Sequence, residues 1–151
     1  MLFEILVALS TGILGIFLGA QIVEGALFVP YWKSLSPKEF FAFYRAYGKG
    51  IHQFFAPITI AATLIPLLAV AYRFYTETRC EPAVILMGFF AAAFFSTYFL
   101  YFKNANKKLA EASIPQEELP AALNKWGNWH WTRIAFEFIA FTCSLVALLH
   151  L

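Results

Sequence analysis

Apolar side chains dominate four stretches of the chain, at about residues 5–29, 51–72, 83–102 and 130–151, the last becoming continuously apolar only from Ile134. Each is close to the ~20 residues that cross a bilayer core as a helix. The pattern predicts an all-α fold: a four-transmembrane-helix bundle formed as one domain over residues 1–151, with no internal repeat or low-complexity tract. The first stretch is too long for a secretory signal, lacks a basic leading region and carries Gln21 and Glu24 near its end, so it reads as a mature span.

The connections carry their own signals. Ser36-Pro37-Lys38-Glu39 combines an N-cap hydroxyl, a proline suited to the first turn and a carboxylate able to reach back to the cap. A helix is predicted there, with Phe40, Phe41, Phe43, Tyr44 and Tyr47 as the aromatic face of an interfacial amphipathic helix between spans 1 and 2. Gly48 and Gly50 allow it to bend into the second span, where Pro57 is expected to leave a carbonyl unpaired near His52. Ser113-Ile114-Pro115-Gln116 resembles a second helix start, ahead of the last span. Trp126, Trp129 and Trp131 are expected at headgroup level. Gly15 and Gly19, one turn apart, permit close helix approach, either within one bundle or along a homodimer seam.

Composition agrees with the membrane class: 61% of residues are hydrophobic, 13% are charged and 18 are Phe, unlike a soluble domain. Charge gives an orientation. Lys33, Lys38, Arg45 and Lys49 lie in or beside the first loop, and Lys103, Lys107, Lys108, Lys125 and Arg133 in or beside the third. Only Arg73 and Arg79 fall on the other side, which places loops 1–2 and 3–4 in the cytoplasm and both termini outside. The net charge of +2 is then a topology signal, and nucleic acid is not an expected partner. Cys80 and Cys143 have no ligand-like spacing.

The candidate chemistry lies at the cytoplasmic end. Glu24, His52, Asn104, His130, Arg133 and Glu137 are expected as buried polar side chains at similar depth, with Gln21 on the Glu24 face. Ionisable groups inside a membrane usually mark a functional site. His130, Arg133 and Glu137 form one helical stripe, so Arg133 has two available partners, Glu137 at i+4 or Glu24 across the bundle. Asn104 and Asn106 either cap the third span or hydrogen-bond across the bundle mouth. Glu24, His52, His130 and Glu137 form a candidate metal shell for a transition metal, with iron or copper favoured, although the Glu-x-x-His repeat of di-metal bundles is missing. A site without metal is equally compatible, and haem ligation by His52 and His130 stays open.

Asn104-Ala-Asn106-Lys-Lys-Leu109, followed by Trp126-Gly-Asn-Trp-His130-Trp-Thr-Arg133, resembles the N-x-N-x-x-L and W-x-x-x-H-x-x-R pattern of the anthrone oxygenase-like family of small membrane proteins. The four-span layout and the proline ending the first span are similar. The resemblance brings forward Asn104, Asn106, Trp126, His130 and Arg133, and implies oxidation by O2 of a polycyclic phenolic ketone at its activated methylene. His130 or His52 would be the base and Arg133 would stabilise the developing anion. Gln21, Asn104, Asn106 and Trp126 would position a lipophilic aromatic substrate. The expectation is therefore a small membrane oxidoreductase or oxygenase in contact with the lipid bilayer and a lipophilic small molecule, with a homo-oligomer open. The competing readings are a non-enzymatic membrane subunit or scaffold with structurally paired charges, and a haem-binding membrane protein. Proton-coupled transport fits less well, because the ionisable residues gather at one end and form no relay across the membrane.

Overall fold

The computed structural model describes residues 1–77 and 80–151, so Arg79 of the charge count lies outside the described residues. Helix α1 (Leu2–Val23) passes through a wide π turn (Glu24–Phe28) into α2 (Val29–Ser34). Helix α3 (Pro37–Thr76) follows, and α4 (Pro82–Thr97) passes through a second π turn (Tyr98–Phe102) into α5 (Lys103–Ala110). Helix α6 (Leu119–Leu149) completes the chain. Four continuous rods result, Leu2–Ser34, Pro37–Thr76, Pro82–Ala110 and Leu119–Leu149, each long and apolar enough to cross a membrane. The protein is a multi-pass membrane bundle.

The principal contacts join α1 to α3, α3 to α4, α4 to α6 and α6 back to α1, a ring of four. Small buried side chains allow this closeness: Ala62 and Ala69 on α3, Ala91 on α4, and Ala140 and Ala147 on α6. Gly15 meets Phe141, whose ring would stand 3.0 Å from an added Cβ, whereas Gly19 faces open space. The Gly15 end of the pair thus serves packing inside one bundle. Leu27, Leu64, Phe89 and Phe138 point outward, as expected of a lipid-facing surface.

The Ser36 capping box forms as predicted: the hydroxyl accepts from Glu39 N–H at 3.4 Å and the Ser36 N–H donates to the Glu39 carboxylate at 2.9 Å. The aromatic segment behind it is no separate helix, because α3 runs unbroken through Gly48, Gly50, Pro57 and Pro66 for 40 residues. At 1.5 Å per residue it is about 60 Å long, roughly twice the bilayer core. Its first turns therefore project beyond the membrane, and Phe40 is fully buried against Trp32 and Tyr44. Trp126 likewise turns inward to pack on Trp32 and Phe102, while Trp131 stays exposed. Trp129 stacks on Tyr101 at 5.1 Å.

Pro30 does not end the first rod. It has no N–H to bond the carbonyl four residues back, and the preceding turn widens so that Val29 N–H reaches the Glu24 carbonyl. The Ser113 signal is not used as a helix start. Ser113 instead completes the end of α5: its N–H donates to the Lys108 carbonyl and that of Ala112 to Leu109, the two bonds of a Schellman cap. Helix α6 begins at Leu119 with Pro120 in its first turn. On the opposite side of the bundle, Arg73 pairs with Glu77 and Glu81 and lies over the Phe3 ring. That hydrogen-bonded partner holds the Glu81 carboxyl below the usual range.

Ala112 occupies the left-handed cap position at φ 48°, which costs a residue with a Cβ about 1–2 kcal/mol. Ala112→Gly is expected to raise stability by about 1 kcal/mol, read as a Tm increase of roughly 2–4 °C in detergent. An unchanged or lower Tm would contradict this account of the cap.

Candidate functional site

Two apolar clusters divide the bundle. One holds Phe3, Val7, Leu14, Phe17, Met87 and Phe94, and the other Val29, Trp32, Phe40, Phe102, Leu123 and Trp126. A polar layer lies between them: α1 leaves the first cluster at Phe17 and meets Gln21 and Glu24, and α6 leaves the second at Trp126 and meets His130, Arg133 and Glu137. Both helices thus present their polar residues at one level.

The Arg133 guanidinium organises that layer. Its Nη2 donates to Gln21 Oε1 at 2.8 Å and to His130 Nδ1 at 2.9 Å, and stands 3.7 Å from Glu24 Oε2. The Phe102 ring covers it at 4.3 Å, a cation–π contact. The other ring nitrogen of His130, Nε2, lies 2.9 Å from the Gln21 carbonyl oxygen. A carbonyl only accepts and a guanidinium only donates. The contacts therefore require a neutral imidazole with its proton on Nε2. Trp126 stacks on the ring at 5.0 Å and donates its indole N–H to Asn106 Oδ1 at 2.8 Å.

Two local features bring α1 and α6 this close. Gly25 lies against His130: a Cβ there would sit 3.0 Å from Cδ2, 3.2 Å from Nε2 and 3.2 Å from the Trp131 ring. The π turn from Glu24 also displaces the following residues from the regular 3.6-residue register. Such turns are frequent at functional sites, and the second one ends at Phe102, under the guanidinium.

A cavity of about 740 Å³ opens beside this layer. Glu24, Trp32, Trp126 and Arg133 line its inner part together with Phe94 and Phe55, and His52, Arg45, Lys49, Lys103 and Lys107 line its exposed part. The Glu24 carboxylate makes no hydrogen bond among the described residues and meets the cavity with Arg133 and His130 within 4 Å.

The candidates separate accordingly. Gln21, Glu24, His130 and Arg133 come together as one network. Arg133 takes Glu24 as its ion-pair partner; Glu137, one turn along, is buried with both carboxylate oxygens unpartnered among the described residues. His52 and Asn104 are exposed, which corrects their expected burial: His52 stands on the exposed part of the cavity wall and Asn104 on the surface of α5. Asn106 serves the cross-bundle bond and lies within α5, so neither asparagine caps a span. His130 has no exposed surface and is separated from the cavity by Trp126 and Arg133. The metal candidates Glu24, His52, His130 and Glu137 are not gathered: among the described residues no three His, Cys, Asp or Glu side chains stand close enough to hold an ion. Both His130 nitrogens are already engaged, so neither is open to a metal in this arrangement. Phe102 and Trp32 had no distinct sequence signal, the basic cavity lining read only as a topology signal, and Gly25 was not singled out.

A four-span bundle with a buried Gln–His–Arg–Glu network and an adjoining cavity defines a membrane protein with a candidate small-molecule site. Residues 43–143, about two thirds of the chain, match the family described as anthrone oxygenase, and the protein belongs to that family. The matched segment contains His52, Asn104, Asn106, Trp126, His130, Arg133 and Glu137, and begins after Gln21 and Glu24. Comparisons with curated proteins and with solved structures yield no match.

Removing the Trp126–Asn106 bond should cost about 1 kcal/mol. In a double-mutant cycle, Trp126→Phe and Asn106→Ala are expected to be non-additive by about 0.5–1 kcal/mol in detergent unfolding; strict additivity would deny the bond. Gly25→Ala is expected to destabilise by about 1–3 kcal/mol, because the His130 ring and Trp131 must both shift. A Tm equal to that of the native protein would show that the helices can part there without cost.

Proposed function

We propose that the protein is an oxygenase that converts a lipophilic anthrone-like ketone to the corresponding quinone, with the substrate held in the cavity beside Glu24 and Arg133. Family membership supports the reaction class. The observation that carries the site is that a buried carboxylate and a guanidinium 3.7 Å apart line the same largely apolar cavity.

The methylene between the aromatic rings of an anthrone is acidic because its carbanion is an enolate delocalised over three rings. Glu24 accepts that proton. Its carboxylate lacks the hydrogen bonds that would weaken it as a base. Arg133 lies beside the oxygen that gains negative charge, held by Gln21 and His130 so that it need not reorganise as the charge develops. His130 acts as a positioning residue, its Nδ1 lone pair fixing the guanidinium. The enolate is electron-rich enough to reduce O2. Formation of the C–O bond and return of a proton give a hydroperoxide, and loss of the second C–H proton with O–O cleavage leaves the quinone carbonyl and one water. O2 is the oxidant, and the step balances without a bound metal.

The basic exposed side of the cavity faces the cytoplasm in this reading, with both termini outside. Nine of the eleven Lys and Arg residues lie on that side of the sequence-predicted spans.

Purified protein in mild detergent is expected to accelerate O2 uptake and quinone formation from anthrone above the spontaneous rate. Glu24→Gln should lower the rate about 10²-fold or more, the usual range for loss of a general base, with an unchanged elution profile. No acceleration over heat-denatured protein would overturn the reaction. A fully active Glu24→Gln would remove Glu24 from it. Stoichiometric iron or copper that disappears with His52→Ala would replace this chemistry by a metal-dependent one.

A further inference from the structure

The cavity wall changes character with depth. Its inner residues Phe55, Phe94, Trp32 and Trp126 are largely apolar, and the single carboxylate there, Glu24, is matched by Arg133. Its exposed part carries Arg45 and Lys49 from α3 opposite Lys103 and Lys107 from α5. Lys107 lies 3.9 Å from Glu111, and the other three form no ion pair among the described residues. Orientation in a membrane requires only that basic residues lie on one side. Lys38, Lys108 and Lys125 satisfy that without lining the cavity. Four cations converging from two helices around a concave opening, three of them without an ion-pair partner among the described residues, are a different arrangement, complementary to one anion at the mouth.

We propose that the cavity selects a flat aromatic ligand bearing an ionised acid group, with the rings seated against Phe94 and Trp126 and the acid held at the mouth by Lys49, Lys103, Arg45 and Lys107. The inference rests on the cavity being the substrate site and specifies the substrate class: an aromatic carboxylic acid rather than a neutral polycycle. Basic side chains at a membrane surface also attract anionic lipid headgroups. A headgroup, however, would leave the aromatic inner wall to flexible acyl chains, whereas rigid rings match its rigid faces.

The test is binding, read by quenching of tryptophan fluorescence in nanodiscs of zwitterionic lipid, and needs no turnover. The probes are anthraquinone-2-carboxylate and its neutral carboxamide, with a cationic 2-aminomethyl analogue as the charge reversal. The carboxylate is expected to bind about tenfold tighter than the carboxamide, the cation weakest, and the preference to shrink as salt screens exposed charge. Lys49→Gln with Lys103→Gln, both exposed positions, should bring carboxylate and carboxamide together while leaving carboxamide affinity unchanged. Equal affinities in the native protein, a preference that survives the double substitution, or no binding of any probe would overturn the proposal. So would loss of the preference when anionic phospholipid replaces part of the lipid, since the cations would then hold headgroups. Carboxylate preference without any oxidation of anthrone would uphold this inference while the oxygenase reading failed.

Discussion

The whole arrangement depends on how one guanidinium is accommodated inside an apolar bundle. A charge at that depth is expensive and persists only with partners. Arg133 has four of different kinds: the Gln21 amide oxygen, the His130 lone pair, the Glu24 carboxylate and the Phe102 ring. They come from α1, the turn that follows it, the second π turn and α6 itself. Removing any one leaves the charge underserved, so this polar layer sets the relative depth of three rods where apolar packing alone would let them slide. Lipid offers no hydrophobic drive between helices, which makes a specific polar contact of this kind more consequential than in a soluble bundle.

The two π turns belong to the same constraint. A regular helix through Pro30 would lose a backbone bond and carry the residues after Glu24 onto another face. The widened turn keeps Glu24 on the cavity wall while turning Val29 and Trp32 toward Trp126. The second widened turn does the same for Phe102, which packs on Trp126 and covers Arg133. Gly25 completes the fit by letting α1 approach the His130 ring. Distortion, absent side chain and buried charge are therefore found at one level of the bundle.

The sequence made the four rods legible because length and hydropathy decide them, and it made Glu24, His130 and Arg133 legible because ionisable residues in apolar helices stand out. Rotation about each helix axis was not legible. His52 and Asn104 are exposed, and sequence position alone could not separate them from Asn106, which bonds Trp126. The choice of Glu24 over Glu137 as the partner of Arg133 depends on how the helices are rotated, and the π turn before Pro30 reads in sequence as a helix end. Helix continuity through Gly48 and Gly50 was equally hidden, since glycine permits a bend without requiring one.

The division between network and cavity also assigns different work to residues that sequence proximity would group together. His130 has both nitrogens committed and no exposed surface, so its contribution is to hold Arg133 in one orientation. Glu24 touches the same guanidinium without a hydrogen bond and faces the cavity, so it keeps the capacity to accept one from a ligand. Preorganised dipoles act most strongly where water is excluded and need not reorient as charge develops. The guanidinium, fixed through Nη2 by Gln21 and His130 and lining the cavity together with Glu24, need not reorient. The basic lining farther out lies near solvent, where salt screens it. In the proposed function its effect would fall on which molecules enter, and the buried pair would act on what happens to them.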